Sequence, residues 1–157
     1  MLSRRLKTDD RAPSAIVITT GYILGRKLTF DKVSKDGSGK CDIEETHDLN
    51  NRVYGVLFEI DDKEEKTLDK AEGLGGGYNK IRIRVLTSNG EYKAITYVAA
   101  IKDPKILPYD WYKAYVVKGA IKHNLPTDYI NWIQTFNTKR DPNIRRSLIN
   151  KIKLFIS

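Results

Sequence analysis

Glu72 closes the run Leu68-Asp-Lys-Ala-Glu72 and is followed by Gly73, Gly75, Gly76 and Gly77, then at once by Tyr78. The residues before it carry a helical pattern, so Glu72 falls in a last helical turn. There the negative end of the helix dipole disfavours a carboxylate's charged form, and burial would act in the same direction. A carboxylate tuned in this way can take a proton and give it back, which is general acid/base work on a small molecule. The glycines let backbone pass close to a ligand without side chains in the way. Tyr78 is placed to close over such a site or to donate a hydrogen bond. The same residues also fit a solvated helix end joined to the next strand by a loose link.

A second group lies in Tyr112-Lys-Ala-Tyr-Val-Val-Lys-Gly119-Ala-Ile-Lys-His-Asn-Leu125-Pro126. Gly119 sits inside a helical pattern, where it costs about 1 kcal/mol relative to alanine. Close packing or the approach of a ligand would explain it. Tyr112, seven residues earlier, shares its face two turns away. In the plainer reading Tyr109, Trp111, Tyr112 and Tyr115 are the core and rim of an amphipathic helix.

These residues need elements to hold them. Pro13 to Gly21 is a β-branched run bounded by turn residues and reads as a strand, with Lys27 to Val33 as a second strand paired to it. Lys35 to Lys40 is polar and glycine-rich, hence a loop, and its Gly-Ser-Gly-Lys lacks the spacing and following helix of a phosphate loop. Arg52 to Ile60 is a nearly continuous apolar strand, expected at the centre of a sheet. Asp61 then caps a helix, with Glu64 three residues on, that runs to about Glu72 and buries Leu68 and Ala71. Ile81, Ile83 and Val85 alternate with Arg82 and Arg84, and Asn89-Gly90 turns the chain into a partner strand, Glu91 to Ala100. Helical patterns cover Tyr109 to His123 and Thr127 to Phe136. A last helix starts at Asp141-Pro142, with Ile144, Leu148, Ile149, Ile152 and Phe155 as an apolar stripe. The sum is an α+β domain built on a curved, mostly antiparallel sheet or partial barrel.

Composition narrows the function. A chain of 157 residues with 40% hydrophobic and 31% charged residues is one globular domain in size and make-up. No stretch approaches the ~18 apolar residues of a membrane helix, and the start has no apolar core of a secretory signal. One cysteine, Cys41, admits no internal disulfide and fits a reducing cytoplasm. With His47 and His123 it makes no metal-ligand spacing, so no metal is expected. Cys41 and His47 read as structural or exposed. The net charge of +8 gathers at the ends, in Arg4, Arg5, Lys7 and Arg11 and again in Lys139, Arg140, Arg145, Arg146, Lys151 and Lys153. Without a recognition motif it does not make nucleic acid the expected partner.

Gly55-Val-Leu-Phe, Leu68-Asp-Lys-Ala-Glu72-Gly, Gly77-Tyr78, Tyr112, Gly119-Ala120 and Leu125-Pro126 occur in an order and spacing that resemble the gamma-glutamylcyclotransferase-like family. The resemblance covers residues 1–133 and leaves 134–157 as a basic, amphipathic helical extension. It implies a small mixed, mostly antiparallel β-barrel with flanking helices. It also implies release of 5-oxoproline from a gamma-glutamyl amine or peptide by intramolecular cyclisation, without a cofactor. Position by position, Glu72 matches the catalytic glutamate, Tyr112 a tyrosine that contacts substrate, and Tyr78 a tyrosine lining the same pocket. Met1 and Leu2 match the end of a substrate-binding loop. In the family a strand ending in Tyr-Gly-Ser-Asn precedes that point, so either the natural start lies upstream of Met1, the favoured expectation, or a strand and half of the site have been lost. The alternative is an inactive member of the fold that binds a small molecule or a protein. The expected partner is a small gamma-glutamyl substrate in the cytoplasm, with no membrane. The apolar last helix serves either to close the barrel or to make a homodimer contact.

Overall fold

The computed structural model describes residues 11–155. Alternating apolar runs form β1 (Ile16–Leu24), β2 (Arg26–Val33), β3 (Gly39–Glu45) and β4 (Arg52–Glu59). Then come α1 (Asp62–Glu72), the hairpin of β5 (Tyr78–Thr87) and β6 (Gly90–Ala99), and three helices: α2 (Asp110–Lys122), α3 (Thr127–Gln134) and α4 (Ile144–Phe155). Met1 and Leu2 lie outside the described residues.

One sheet has the order β4-β1-β5-β6, the other pairs β2 with β3, and the strand pairs are antiparallel. A single residue, Gly25 at φ 70°, carries the chain from one sheet to the other. That link is too short for a hairpin, so β2 pairs with β3 and not, as its sequence position suggested, with β1. The sheets are tied where β6 ends: Val33 N–H donates to Ile101 O at 3.0 Å, and Asp103 N–H to Asp31 O at 2.8 Å. Asp42, buried on β3, accepts from Ala99 N–H at 2.6 Å and pairs with Lys102. The strands thus curl around one interior. Among the described residues no ladder joins the two-stranded sheet to the four-stranded one.

Two strand expectations change. β4 ends the four-stranded order among the described residues and is not central. Its apolar run reflects cover on both faces, since Val53 enters the core while Tyr54 meets Tyr129 of α3 at 5.0 Å between ring centroids. β3 was absent from the sequence reading because Asp42, Glu44 and Glu45 are poor strand formers. Its pairing with β2 supplies what local preference lacks.

Ile23, Leu28, Val53 and Val85 of the sheets meet Ala120, Leu125 and Ile133 of the helical layer in the main core. A side chain as completely buried as Ile133 stabilises the fold by about 1.5–3 kcal/mol. The last helix begins later than Asp141-Pro142. Asn143 caps it, its Oδ1 accepting from Arg146 N–H at 2.9 Å, while Asp141 is drawn inward. There Asp141 accepts from Trp111 Nε1 at 2.9 Å and from Arg146 Nε at 2.7 Å. Arg146, Asn150 and Leu154 mark the side of α4 facing the preceding helices, with Asn150 O receiving the Tyr115 hydroxyl at 3.0 Å. The apolar stripe faces outward, with Ile144 and Phe155 81% and 90% exposed.

Candidate active site

The position of Glu72 follows from how α1 is anchored. At its start Asp61 Oδ1 accepts from Lys63 N–H at 2.9 Å. The reciprocal contact expected of Glu64 is relayed by Ser14, which donates to Glu64 at 2.6 Å and accepts from Asp61 N–H at 2.8 Å. Further along, Asp69 receives Tyr97 Oη at 2.6 Å and Lys80 Nζ at 2.7 Å, which fastens α1 to the β5–β6 hairpin. Leu68 packs with Ala12 and Ala15, whereas Ala71 is exposed at the cavity rim and does not share that buried face.

After Glu72 the chain must reverse within a few residues. Gly73 adopts φ 67°, and Leu74 N–H returns to Asp69 O at 2.9 Å. This is a left-handed helix cap that suits glycine. At Gly77 closeness is the reason: a Cβ there would lie 3.0 Å from the carbonyl oxygen of Glu72. The glycines thus bring Tyr78 back beside the helix end, as the sequence implied.

Glu72, Tyr78 and Tyr112 line one cavity of about 540 Å³. Gly119 and Ala120 form part of its wall on the same helix as Tyr112, which accounts for the small pair. The two phenols meet at the backbone of Cys41: Tyr78 Oη donates to its carbonyl at 3.2 Å, and Tyr112 Oη accepts from its N–H at 3.1 Å. Burial pushes both phenols above their ordinary range, with the Glu72 charge adding to the effect on Tyr78. They therefore remain neutral hydrogen-bonding groups at physiological pH. Burial also pushes the Cys41 thiol up to about 11, which makes it a poor nucleophile.

Several groups escaped the sequence reading. Arg11, counted there only among basic residues near the chain end, places Nη1 3.2 Å from Glu72 Oε1. Lys32 and Lys40 also line the cavity. Lys40 donates to Asp36 at 2.8 Å and to Ser38 Oγ at 2.6 Å, and lies over the Tyr112 ring at 4.7 Å. Burial works against the Asp36 charge, but the contacts from Lys40 and Ser38 prevail and hold its carboxyl below the usual range. No local signal marked these lysines, because strand pairing brings them to the cavity. The arrangement sets the Glu72 carboxylate, the phenols of Tyr78 and Tyr112 and nearby cations around a space that fits a small polar ligand. Those are the means for proton transfer and charge recognition.

Known proteins share this architecture. The AIG2-like family model matches residues 52–133, just over half of the chain. No curated protein sequence matches. Among solved structures the chain is similar to a gamma-glutamyl cyclotransferase, at 22% identity and a TM-score of 0.87, over 99% of this chain and 93% of that one. It is also similar to an uncharacterized protein from Homo sapiens, at 24% identity and a TM-score of 0.79, over 96% and 92% of the two chains. YkqA from Bacillus subtilis shares 20% identity with a TM-score of 0.71, over 87% of this chain and 51% of that one. At these identities the structural likeness speaks for the fold. By the family match and that shared fold, the chain belongs to the AIG2-like family and is gamma-glutamylcyclotransferase-like.

Proposed function

We propose that the protein is a gamma-glutamylcyclotransferase-type enzyme that releases 5-oxoproline from a gamma-glutamyl amine or peptide. The observation that carries this reading is the convergence of Glu72, Tyr78 and Tyr112 on one cavity. The α-amine of the substrate attacks its own γ-carbonyl, a C–N bond forms, and the bond to the leaving amine breaks. Nucleophile and electrophile belong to one molecule, so most of the entropic cost of bringing them together is absent. The remaining task is proton movement: the α-ammonium gives up two protons in becoming the lactam N–H, and the leaving nitrogen gains two in departing as an ammonium. Glu72 carries them across, one at a time. Arg11 steadies its carboxylate before substrate arrives, and the phenols of Tyr78 and Tyr112 shape the pocket around the ring that forms. The reaction belongs in the cytoplasm, where gamma-glutamyl peptides such as glutathione are available and the free Cys41 stays reduced.

The test is 5-oxoproline release by the purified chain from gamma-glutamyl amino acids, glutathione and gamma-glutamyl amines. Turnover should fall by about 10²–10⁴-fold in Glu72→Gln, the usual worth of a positioned acid/base group. Release at undiminished rate in that variant would remove Glu72 from the mechanism. No release from any of the panel would overturn the enzyme reading for these substrates.

A further inference from the structure

The cavity beside Glu72 contains a cation that the cyclisation leaves unused. Lys32 of β2 lines the cavity, and its ammonium rests 4.7 Å from the centroid of the Tyr78 ring. A Cβ at Gly77 would sit 3.7 Å from that nitrogen and 3.0 Å from the carbonyl oxygen of Glu72. The ammonium therefore lies against the stretch of backbone that joins Glu72 to Tyr78. Neighbouring lysines are already paired: Lys102, bridged to Lys32, pairs with Asp42, and Lys40 pairs with Asp36. Among the described residues Lys32 has no carboxylate partner. A ring face attracts the cation yet makes no conventional hydrogen bond to it. The N–H groups thus remain available to an acceptor.

We propose that Lys32 is the carboxylate receptor of this site, gripping a ligand's carboxylate while Glu72 faces its ammonium. The proposal deepens the gamma-glutamyl reading and rests on it for the class of ligand. Such substrates are zwitterions, with one carboxylate on the glutamyl head and, in gamma-glutamyl amino acids, another on the leaving group. A cation and an anion on one cavity wall match that pattern, and the pairing favours acidic leaving groups if Lys32 reads the second carboxylate.

Three ligands separate the two carboxylates: gamma-glutamyl-alanine has both, gamma-glutamyl-ethylamide only the first, and 4-aminobutanoyl-alanine only the second. Each is offered to the full chain and to Lys32→Met and Lys32→Arg. KM is read from amine release and Kd from ligand-observed NMR. Lys32→Met should raise KM and Kd about 10- to 100-fold for ligands bearing the carboxylate it reads, the worth of one charge-assisted contact. It should leave kcat and the ligand lacking that carboxylate unchanged, and Lys32→Arg should restore most of the loss. Weakening of the first two ligands alone assigns Lys32 to the glutamyl head; weakening of the first and third assigns it to the leaving group. Equal losses for all three, or none, overturn the proposal. If the wild-type chain binds these ligands but releases no amine, the enzyme reading fails while the Kd pattern still decides Lys32. If it binds none of them, both readings fall.

Discussion

Tyr78 and Tyr112 meet at the backbone of one residue, Cys41, yet their contacts are not equivalent. Tyr112 supplies the acceptor for an N–H, whereas Tyr78 donates to a carbonyl that keeps a second lone pair. Removing the Tyr112 hydroxyl leaves a partly buried donor without its partner. Tyr112→Phe should therefore cost about 1–3 kcal/mol, the penalty of an orphaned group, and Tyr78→Phe about 0.5–1.5 kcal/mol. Urea unfolding of the two variants checks this, and equal midpoints would contradict the asymmetry. The sequence marked both tyrosines but read Cys41 only as structural or exposed, and it is the backbone N–H and carbonyl of Cys41 that receive the two phenols. Arg11 was hidden for a related reason. The charge facing Glu72 comes from a residue 61 positions away, and no local pattern records such a meeting.

At the level of elements, α1 was legible because its signals are local: a capping aspartate, a helical run and a glycine stop. The start of α4 was misplaced because Asp141 serves a tertiary role. Its carboxyl is held well below the usual range, chiefly by hydrogen bonds from Arg146, against the opposing effect of burial. A depressed folded-state value contributes stability that is present above the unfolded value near pH 4 and lost as pH falls below it. Asp141→Asn should cost about 2–4 kcal/mol near neutrality, toward the lower end because Arg146 is one-third exposed to screening solvent. The variant should also show a flatter loss of stability on acidification. Urea titrations at neutral and acidic pH test both statements, and an undiminished acid limb in the variant would assign the effect elsewhere.

Across the whole molecule, the interior around the cavity titrates late. Burial pushes up the phenols of Tyr78, Tyr112 and Tyr129 and the Cys41 thiol. Groups whose folded values are raised favour the native state below their unfolded values and lose that contribution as pH climbs. For Cys41 the window runs from about 9 to about 11. The tyrosines begin to contribute near 10. Stability should thus fall steadily above about pH 9, and Cys41→Ala should remove the first part of that decline. Denaturant midpoints measured from pH 7 to pH 11 provide the test, and a flat profile across that range would count against a buried, proton-bound interior.

What the residues determined by themselves was whatever depends on near neighbours in the chain. Helix caps, alternating strands and the Gly73–Gly77 reversal are set by backbone conformations a few residues long, so the ends of α1 and the placement of Tyr78 were readable. The acidic strand β3, the edge position of β4 and the inward turn of Asp141 were decided only when distant segments packed. The same holds for the site's charges. Arg11 reaches Glu72, and Lys32 reaches the Tyr78 ring, through pairings between separate elements that bury apolar surface. Short-range preference can place a carboxylate at the end of a helix; only the tertiary structure decides which cations surround it.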